Sequence, residues 1–183
     1  TEPGAIQTEW VMTTCDVFDQ FKDRADTDDR ESVQVLVAPW RVIGGRSAFA
    51  GRVATARCFN DNTLLRQALS TPGDGRVLVV DGAGSVSHAL MGDALGALAL
   101  RHGWAGVIVY GAVRDSAALA ALDLGVLALG TVPRPSRKEG AGAADAVLDI
   151  CGAKVSPGDI IVADTDGVVV IAGATEMLPG LLP

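Results

Sequence analysis

An arginine and an aspartate stand side by side at Arg114 and Asp115, shortly after the apolar run at 106–110. A guanidinium can hold a carboxylate or an enolate oxygen through two hydrogen bonds. A carboxylate is a hard oxygen ligand that suits a divalent cation such as Mg²⁺ or Mn²⁺. The pair therefore indicates a site for a small oxo acid together with a metal ion.

A second segment with possible chemistry is GDAL at 92–95, where a helix is predicted to begin. The unpaired N–H groups and partial positive charge of a helix N-terminus favour a bound carboxylate. This segment and the Arg114–Asp115 pair each follow a predicted strand of one parallel sheet. Because ligands bind beyond the carboxyl ends of such strands, we expect the two segments to share one edge of the sheet.

Each of these charged residues also has a purely structural explanation, which the sequence leaves open. Asp93 can complement the dipole of the helix whose first turn it occupies. Asp115 can serve as the N-cap of a short helix predicted at 116–122. Arg114 can form a surface ion pair that contributes little to stability.

Other motifs give weaker signals. The loop at 81–87 has the first half of a dinucleotide-binding fingerprint, but it lacks the third glycine, a following helix and the lysine of a phosphate-binding loop. We interpret His88 and His102 as packing or solvated histidines. Ser85 and Ser87 have no visible partners for a catalytic triad.

The composition predicts one globular domain over residues 1–183, because 49% of the chain is apolar and 20% is charged. With 15 basic and 22 acidic residues, the net charge is −7, which argues against direct binding to nucleic acid or an anionic membrane. No apolar run reaches the length of about 20 residues that spans a bilayer. No secretory signal segment is apparent either. Three cysteines without a CxxC pair and only two histidines favour a reduced, cytoplasmic protein without zinc.

Alternating strand and helix patterns predict an α/β fold with a parallel sheet. We expect an N-terminal helix at about 6–21, an α/β core at about 33–131 and a β-rich C-terminal part at about 145–172. A solvated charged loop is expected at 22–31. The core strands are predicted at 33–43, 49–58, 76–80, 106–110 and 125–129, and its helices at 62–69, 92–102 and 116–122. The late strands are predicted at 146–150, 159–162 and 167–171.

Several motifs in order give the chain a family resemblance. GGRSAFAG at 44–51, VVDGAGS at 79–85, MGDAL at 91–95 and GAVRD at 111–115 resemble the RraA-like family, as do PGD at 157–159 and the predicted hairpin at 163–170. That family contains regulators of ribonuclease activity and 4-hydroxy-4-methyl-2-oxoglutarate aldolases. The resemblance covers roughly residues 15–171, and the charged stretch 22–32 matches it less well.

The resemblance implies a swivelling β/β/α (phosphohistidine-domain-like) fold, with a central parallel or mixed sheet, flanking helices and a C-terminal β part. It also implies a homotrimer or a hexamer of two trimers, with active sites near subunit interfaces. Substrate would be held by Gly92, Asp93, Ala94, Leu95 and Arg114. Asp115 would hold a divalent metal, Mg²⁺ or Mn²⁺, largely through water, so that Arg114 and Asp115 form the catalytic pair.

The activity implied is that of a metal-dependent class II aldolase, which cleaves 4-hydroxy-4-methyl-2-oxoglutarate-type 2-oxo acids to pyruvate and decarboxylates oxaloacetate as a side activity. One departure is Ala118, which stands where metal-dependent members often carry a further acid. The alternative is a non-enzymatic regulator that binds and inhibits an endoribonuclease. A menaquinone-pathway methyltransferase is disfavoured, since no glycine motif for a methyl donor is evident.

Overall fold

The computed structural model describes residues 12–24 and 32–173. Its helices are α1 (Thr14–Phe21), α2 (Thr63–Leu69), α3 (Asp93–Arg101) and α4 (Ser116–Ala120), with a 3₁₀ turn at Lys22–Arg24. Its strands are β1 (Val33–Val35), β2 (Arg41–Val42), β3 (Phe49–Arg57), β4 (Val77–Asp81), β5 (Ala89–Met91), β6 (Gly106–Val113), β7 (Gly125–Thr131), β8 (Ala143–Ala144), β9 (Leu148–Ile150), β10 (Ala153–Val155), β11 (Ile160–Asp164) and β12 (Gly167–Ile171).

One large mixed sheet organises the described chain. Its strand order is β1-β12-β11-β3-β4-β6-β7-β2, with β5 beside β6 and β8 beside β3. The four central strands β3, β4, β6 and β7 run parallel, as the strand–helix alternation predicts. The outer strands pair antiparallel, and β9 with β10 forms a separate hairpin. The α/β class is therefore confirmed as a mixed sheet with few helices.

The prediction of a single strand at 33–43 is wrong. The structure divides it into β1 and β2, which lie at opposite ends of the sheet order. Pro39 stands between them, and proline lacks the N–H that a continuous ladder needs. Both halves are rich in apolar residues, so the pattern of apolar residues does not show where one strand ends and the next begins.

The predicted N-terminal helix at 6–21 is present from Thr14 onward, and its first residues lie outside the described ones. The helix begins at Thr13 in a capping box. The Thr13 hydroxyl accepts the Asp16 N–H at 3.1 Å, and the Asp16 carboxylate accepts the Thr13 N–H at 3.3 Å. The charged loop predicted at 22–31 begins instead with the 3₁₀ turn, and its remainder also lies outside the described residues.

Two of the late strands, β11 and β12, belong to the central sheet, because β11 pairs antiparallel with both β12 and β3. Helices α2, α3 and α4 contribute to the core cluster on one face of the parallel strands. The β9–β10 hairpin covers the other face with Leu148, Ile150 and Val155. None of the helices within the described ranges is long and apolar enough to cross a membrane.

The buried ring of Phe49 packs against the starts of two neighbouring parallel strands, β6 and β7. Phe49, which is 2% exposed, packs where β6 and β7 begin with Gly106 and Gly125. A Cβ on either glycine would overlap the Phe49 ring. The two glycines therefore keep the space into which this side chain inserts.

We predict that Gly125→Ala lowers the free energy of unfolding by about 1–3 kcal/mol, because a methyl group would be forced against the Phe49 ring. Gly130→Ala in the same strand is the matched control, since its Cβ would lie 3.8 Å from the nearest atom, Val86 Cγ1. Urea unfolding of both variants measures the difference. Equal losses would show that the Phe49 contact is unimportant.

Candidate active site

Two chain segments meet beyond the carboxyl ends of the parallel strands. Strand β6 extends to Val113, further than predicted, and delivers Arg114 and Asp115. Strand β5, which the sequence analysis did not predict, pairs with β6 and leads to Gly92, the N-cap of α3. The Arg114 N–H donates to the Met91 carbonyl at 2.9 Å, which joins the two segments.

The side chain of Asp115 turns toward the first turn of α3. Its Oδ2 accepts the Asp93 N–H at 3.3 Å and lies 3.9 Å from Arg114 Nε. A Cβ on Gly92 would overlap Asp115 Oδ2 and approach Arg114 Cγ to 3.1 Å. The missing side chain at Gly92 thus makes room for the carboxylate at the helix N-terminus.

The N-cap explanation for Asp115 does not account for its side chain. Asp115 stands at the N-cap position of α4, yet its carboxylate makes no capping hydrogen bond there. Its backbone is left-handed, with φ 56° and ψ 42°. Such a conformation is uncommon outside glycine and costs free energy, so the fold holds Asp115 in this turn through its surroundings.

The other predicted substrate-binding residues have different environments. Asp93 is exposed and its Oδ1 accepts the Ala94 N–H at 2.7 Å, so that amide is already satisfied. Leu95 is 6% exposed and packs in the core beneath α3. The side chains of Arg114 and Asp115 are 45% and 41% exposed, which leaves both open to a ligand.

An open pocket of about 420 Å³ lies beside this pair. Its walls are Arg114 and Asp115 together with Thr131, Val132 and Pro133. Thr131, Val132 and Pro133 were not among the site residues predicted from the sequence. Thr131 ends β7 and Val132 and Pro133 follow it, so the strand-end rule applied to Arg114 places all three at the same edge of the sheet.

The site offers one hard oxygen ligand, the Asp115 carboxylate, to a divalent metal ion. Within residues 12–24 and 32–173, no three His, Cys, Asp or Glu side chains cluster as a metal site. Mg²⁺ is commonly bound by one or two carboxylates, with water and substrate completing its shell. Asp115 offers one exposed carboxylate, and Ala118 on α4 adds no second one. A metal here would therefore keep most of its water.

A polar chain runs through the glycine loop near the site. Ser85 Oγ donates to Asn60 Oδ1 at 2.8 Å, Ser87 Oγ lies 3.0 Å from Ser85 Oγ, and His88 Nδ1 lies 2.9 Å from Ser87 Oγ. Each serine hydroxyl has one proton, and that of Ser85 is donated to Asn60. The other two contacts are therefore both hydrogen bonds only if Ser87 donates to Ser85 and His88 Nδ1 donates to Ser87. In that arrangement His88 does not accept the Ser87 proton, so the pair does not activate a serine nucleophile.

The glycine loop itself leads into strand β5 and not into a helix. A dinucleotide-binding loop needs a helix N-terminus directly after its glycines to hold the pyrophosphate. The helix start that such a loop would need is absent directly after residues 81–87.

Comparison with known proteins shows that this chain is similar to one protein family and to several individual proteins. The sequence model of the RraA-like family (Aldolase/RraA) matches residues 14–170. A protein of Laribacter hongkongensis (strain HLHK9), provisionally named 4-hydroxy-4-methyl-2-oxoglutarate aldolase, is 50% identical over 156 residues. The match covers 85% of this chain and 93% of that protein.

Two solved structures share the fold closely. The S-adenosylmethionine:2-dimethylmenaquinone methyltransferase from Geobacillus kaustophilus HTA426 has a TM-score of 0.83 and 46% identity, covering 90% of this chain and 97% of that one. The RNA-processing inhibitor RraA from Thermus thermophilis has a TM-score of 0.80 and 40% identity, covering 90% and 98%. Relatives with this fold thus carry names from three functional classes.

We predict that Asp115→Ala is less stable than Asp115→Gly by about 1 kcal/mol, because only glycine adopts the left-handed backbone without strain. Both variants lose the carboxylate, so urea unfolding isolates the backbone contribution. Ala118→Gly within α4 is the control, and there glycine should instead destabilise. An alanine variant as stable as the glycine variant would contradict the strained conformation.

Proposed function

The chain belongs to the RraA-like family, and on that basis we propose that it is a metal-dependent carbon–carbon lyase. Its substrates would be 4-hydroxy-4-methyl-2-oxoglutarate-type 2-oxo acids, cleaved to pyruvate, with oxaloacetate decarboxylation as a side activity. The observation that supports this most directly is the Asp115 carboxylate, which lies at the N-terminus of α3 beside Arg114 and an open pocket.

Substrate binding follows from the charges at this edge. The guanidinium of Arg114 attracts the carboxylate and 2-oxo oxygens of the acid. The N-terminus of α3 adds a partial positive charge on the same side. The three lysines, Lys22, Lys138 and Lys154, all fall within the described ranges and none lines the pocket. A Schiff-base mechanism is therefore not proposed.

A hydrated Mg²⁺ or Mn²⁺ held by Asp115 would supply Lewis-acid chemistry at the pyruvate half of the substrate. Arg114 stabilises the negative charge that develops on the 2-oxo oxygen as the C3–C4 bond breaks. Asp115 keeps its position because the Asp93 N–H and the space at Gly92 fix its carboxylate. In both reactions the product is an enolate, which takes a proton at C3 to become pyruvate.

Subunit assembly and location belong to the same proposal. We propose a homotrimer or a hexamer in which a neighbouring subunit covers the exposed side of Arg114 and Asp115, as in the swivelling β/β/α assembly that the family resemblance implies. A cytoplasmic location is supported by the state of Cys15, Cys58 and Cys151, which are all free thiols.

A second candidate function is that of an endoribonuclease inhibitor, which the 40% identity to an RNA-processing inhibitor favours. The net charge of −7 suits contact with a basic surface of such a partner. The methyltransferase named for the Geobacillus protein gains no support from the sequence, which shows no glycine motif for a methyl donor.

We predict that Arg114→Gln lowers kcat for pyruvate release about 10²–10³-fold, as loss of one preorganised oxyanion donor does. Arg101→Gln, at the opposite end of α3, is the matched control and should leave turnover unchanged. A coupled assay of pyruvate from oxaloacetate and from 4-hydroxy-4-methyl-2-oxoglutarate measures both. Full turnover by Arg114→Gln would exclude the proposed role of the guanidinium.

We also predict that EDTA abolishes pyruvate release and that added Mg²⁺ or Mn²⁺ restores it, because the site carries a hard oxygen ligand. Asp115→Asn should require a higher metal concentration for half-maximal activity. Turnover that resists the chelator would disprove metal dependence. No turnover with any metal, together with inhibition of an endoribonuclease, would favour the second candidate.

A further inference from the structure

A segment that crosses the end of strand β6 begins at the pocket. In this crossing segment, residues 132–139, the N–H of the first residue donates to the Val113 carbonyl of β6 at 3.0 Å. The segment then reaches β5, where the Ala89 N–H donates to the Arg134 carbonyl at 2.7 Å. Strands β7 and β5 flank β6 on its two sides. The crossing segment therefore passes the end of the strand that carries Arg114.

Buried polar groups hold the crossing segment in place. Ser136, which is 9% exposed, donates both its N–H and its hydroxyl to the Ala89 carbonyl, at 3.1 and 2.8 Å. The Arg137 N–H donates at 2.8 Å to a carbonyl of the chain just after β3. The buried Asp61 carboxylate accepts the Glu139 N–H at 2.6 Å. The backbone of the segment therefore has a fixed position at this edge of the sheet.

The crossing segment is positively charged, whereas the protein as a whole is negative. It carries Arg134, Arg137 and Lys138 against one acid, Glu139, and all four side chains are exposed. Lys138 and Glu139 are neighbours of opposite charge, so the excess of +2 comes from the two arginines. Because the net charge of the chain is −7, the remainder of the molecule carries −9 and repels an approaching anion.

The pocket itself offers little positive charge to a doubly charged acid. Arg114 is the one cation among the five residues that line it, and the Asp115 carboxylate lies beside it. Arg114 and the N-terminus of α3 attract the pyruvate half of the substrate. A second carboxylate, as in oxaloacetate, finds no cation among the lining residues. Further cations lie on the crossing segment, where Arg134 directly follows Pro133 of the pocket wall.

The two arginines are close enough to act on an anion at the pocket without touching it. Consecutive Cα atoms lie about 3.8 Å apart, which places the Arg134 backbone directly beside Pro133. Arg137 lies beside the chain that follows β3, two strand positions from β6 in the sheet order, or about 10 Å. Coulomb attraction reaches about 30 Å at an ionic strength of about 0.01 M but only about 3 Å at about 1 M. At low ionic strength both charges therefore act at the pocket, whichever way their side chains point.

We propose that Arg134 and Arg137 form an electrostatic guide, which raises the local concentration of doubly charged 2-oxo acids at the pocket. This inference rests on the proposed lyase function, and it concerns how the substrate reaches the site. The two arginines take no part in breaking the C3–C4 bond, so they lower KM and leave kcat unchanged. Because electrostatic energy is proportional to the charge of the ligand, a dianion gains twice as much as a monoanion.

The test neutralises both arginines in Arg134→Gln/Arg137→Gln. At an ionic strength of about 0.01 M, we expect KM for oxaloacetate to rise about 3- to 10-fold, with kcat unchanged within about 2-fold. At about 1 M, KM of the variant and of the wild type should agree within about 2-fold, because salt screens the attraction. A coupled assay of pyruvate release measures both constants.

The matched control is Arg101→Gln/Lys154→Gln, which also changes the net charge from −7 to −9. Arg101 ends α3 on the side away from the pocket, and Lys154 belongs to the β9–β10 hairpin. We expect its KM to stay within about 2-fold of the wild-type value at both ionic strengths, because its charges are remote from the pocket. A control that loses as much affinity as Arg134→Gln/Arg137→Gln would overturn the local guide in favour of net charge alone.

Ligand binding tests the dependence on charge without turnover. Titration calorimetry compares oxalate, a dianion, with pyruvate, a monoanion. At low ionic strength the loss of both arginines should weaken pyruvate binding about 3-fold and oxalate binding about 9-fold, the square of that factor. Equal factors for the two ligands, or a loss that persists at high ionic strength, would overturn the guide. Urea unfolding of the variants establishes that altered folding does not produce the difference.

The outcomes separate the guide from the lyase function. An active wild-type enzyme whose KM and oxalate affinity do not change in Arg134→Gln/Arg137→Gln would overturn the guide and leave the lyase function intact. A wild-type protein that releases no pyruvate, yet binds oxalate with the expected dependence on salt and on the two arginines, would overturn the lyase function and support the guide. A protein that neither releases pyruvate nor binds oxalate would overturn both.

Discussion

The site depends on one packing arrangement, in which the Asp115 carboxylate occupies the space left by the missing side chain of Gly92. This arrangement places a negative group against the N-terminus of α3, where the helix N–H groups favour it. Asp115 has a left-handed backbone in this arrangement, a conformation that is uncommon outside glycine. The glycine at position 92 and the strained backbone of Asp115 therefore both belong to this packing arrangement.

The parallel strands provide the rigid support for this arrangement. Strand β6 has buried neighbours on both sides and carries Arg114 and Asp115 at its end. Strand β5 is short, but its pairing with β6 and the hydrogen bond from the Arg114 N–H hold the start of α3 in place. The candidate site residues thus take their positions from backbone pairing of β5 and β6.

Relatives with three kinds of name share this fold, so the fold alone does not define an activity. The features that distinguish the candidate functions are local. The Asp115 carboxylate lies beside the Arg114 guanidinium, and the glycine loop at 81–87 leads into strand β5 and not into a helix. The acidic surface is compatible with a protein partner but points to no particular residues.

The sequence by itself determined the parallel core and the two site segments, because buried strands and helix starts leave local patterns of apolar residues and glycine. It did not separate β1 from β2 or reveal β5, since short edge strands gain their stability from partners that are distant in the chain. The strand-end rule indicates the edge of the sheet where Thr131, Val132 and Pro133 lie, but only the tertiary structure shows that they line one pocket with Arg114 and Asp115. It also decided where the Asp115 carboxylate turns, because Gly92 lies 23 positions earlier and no local pattern records a space between them.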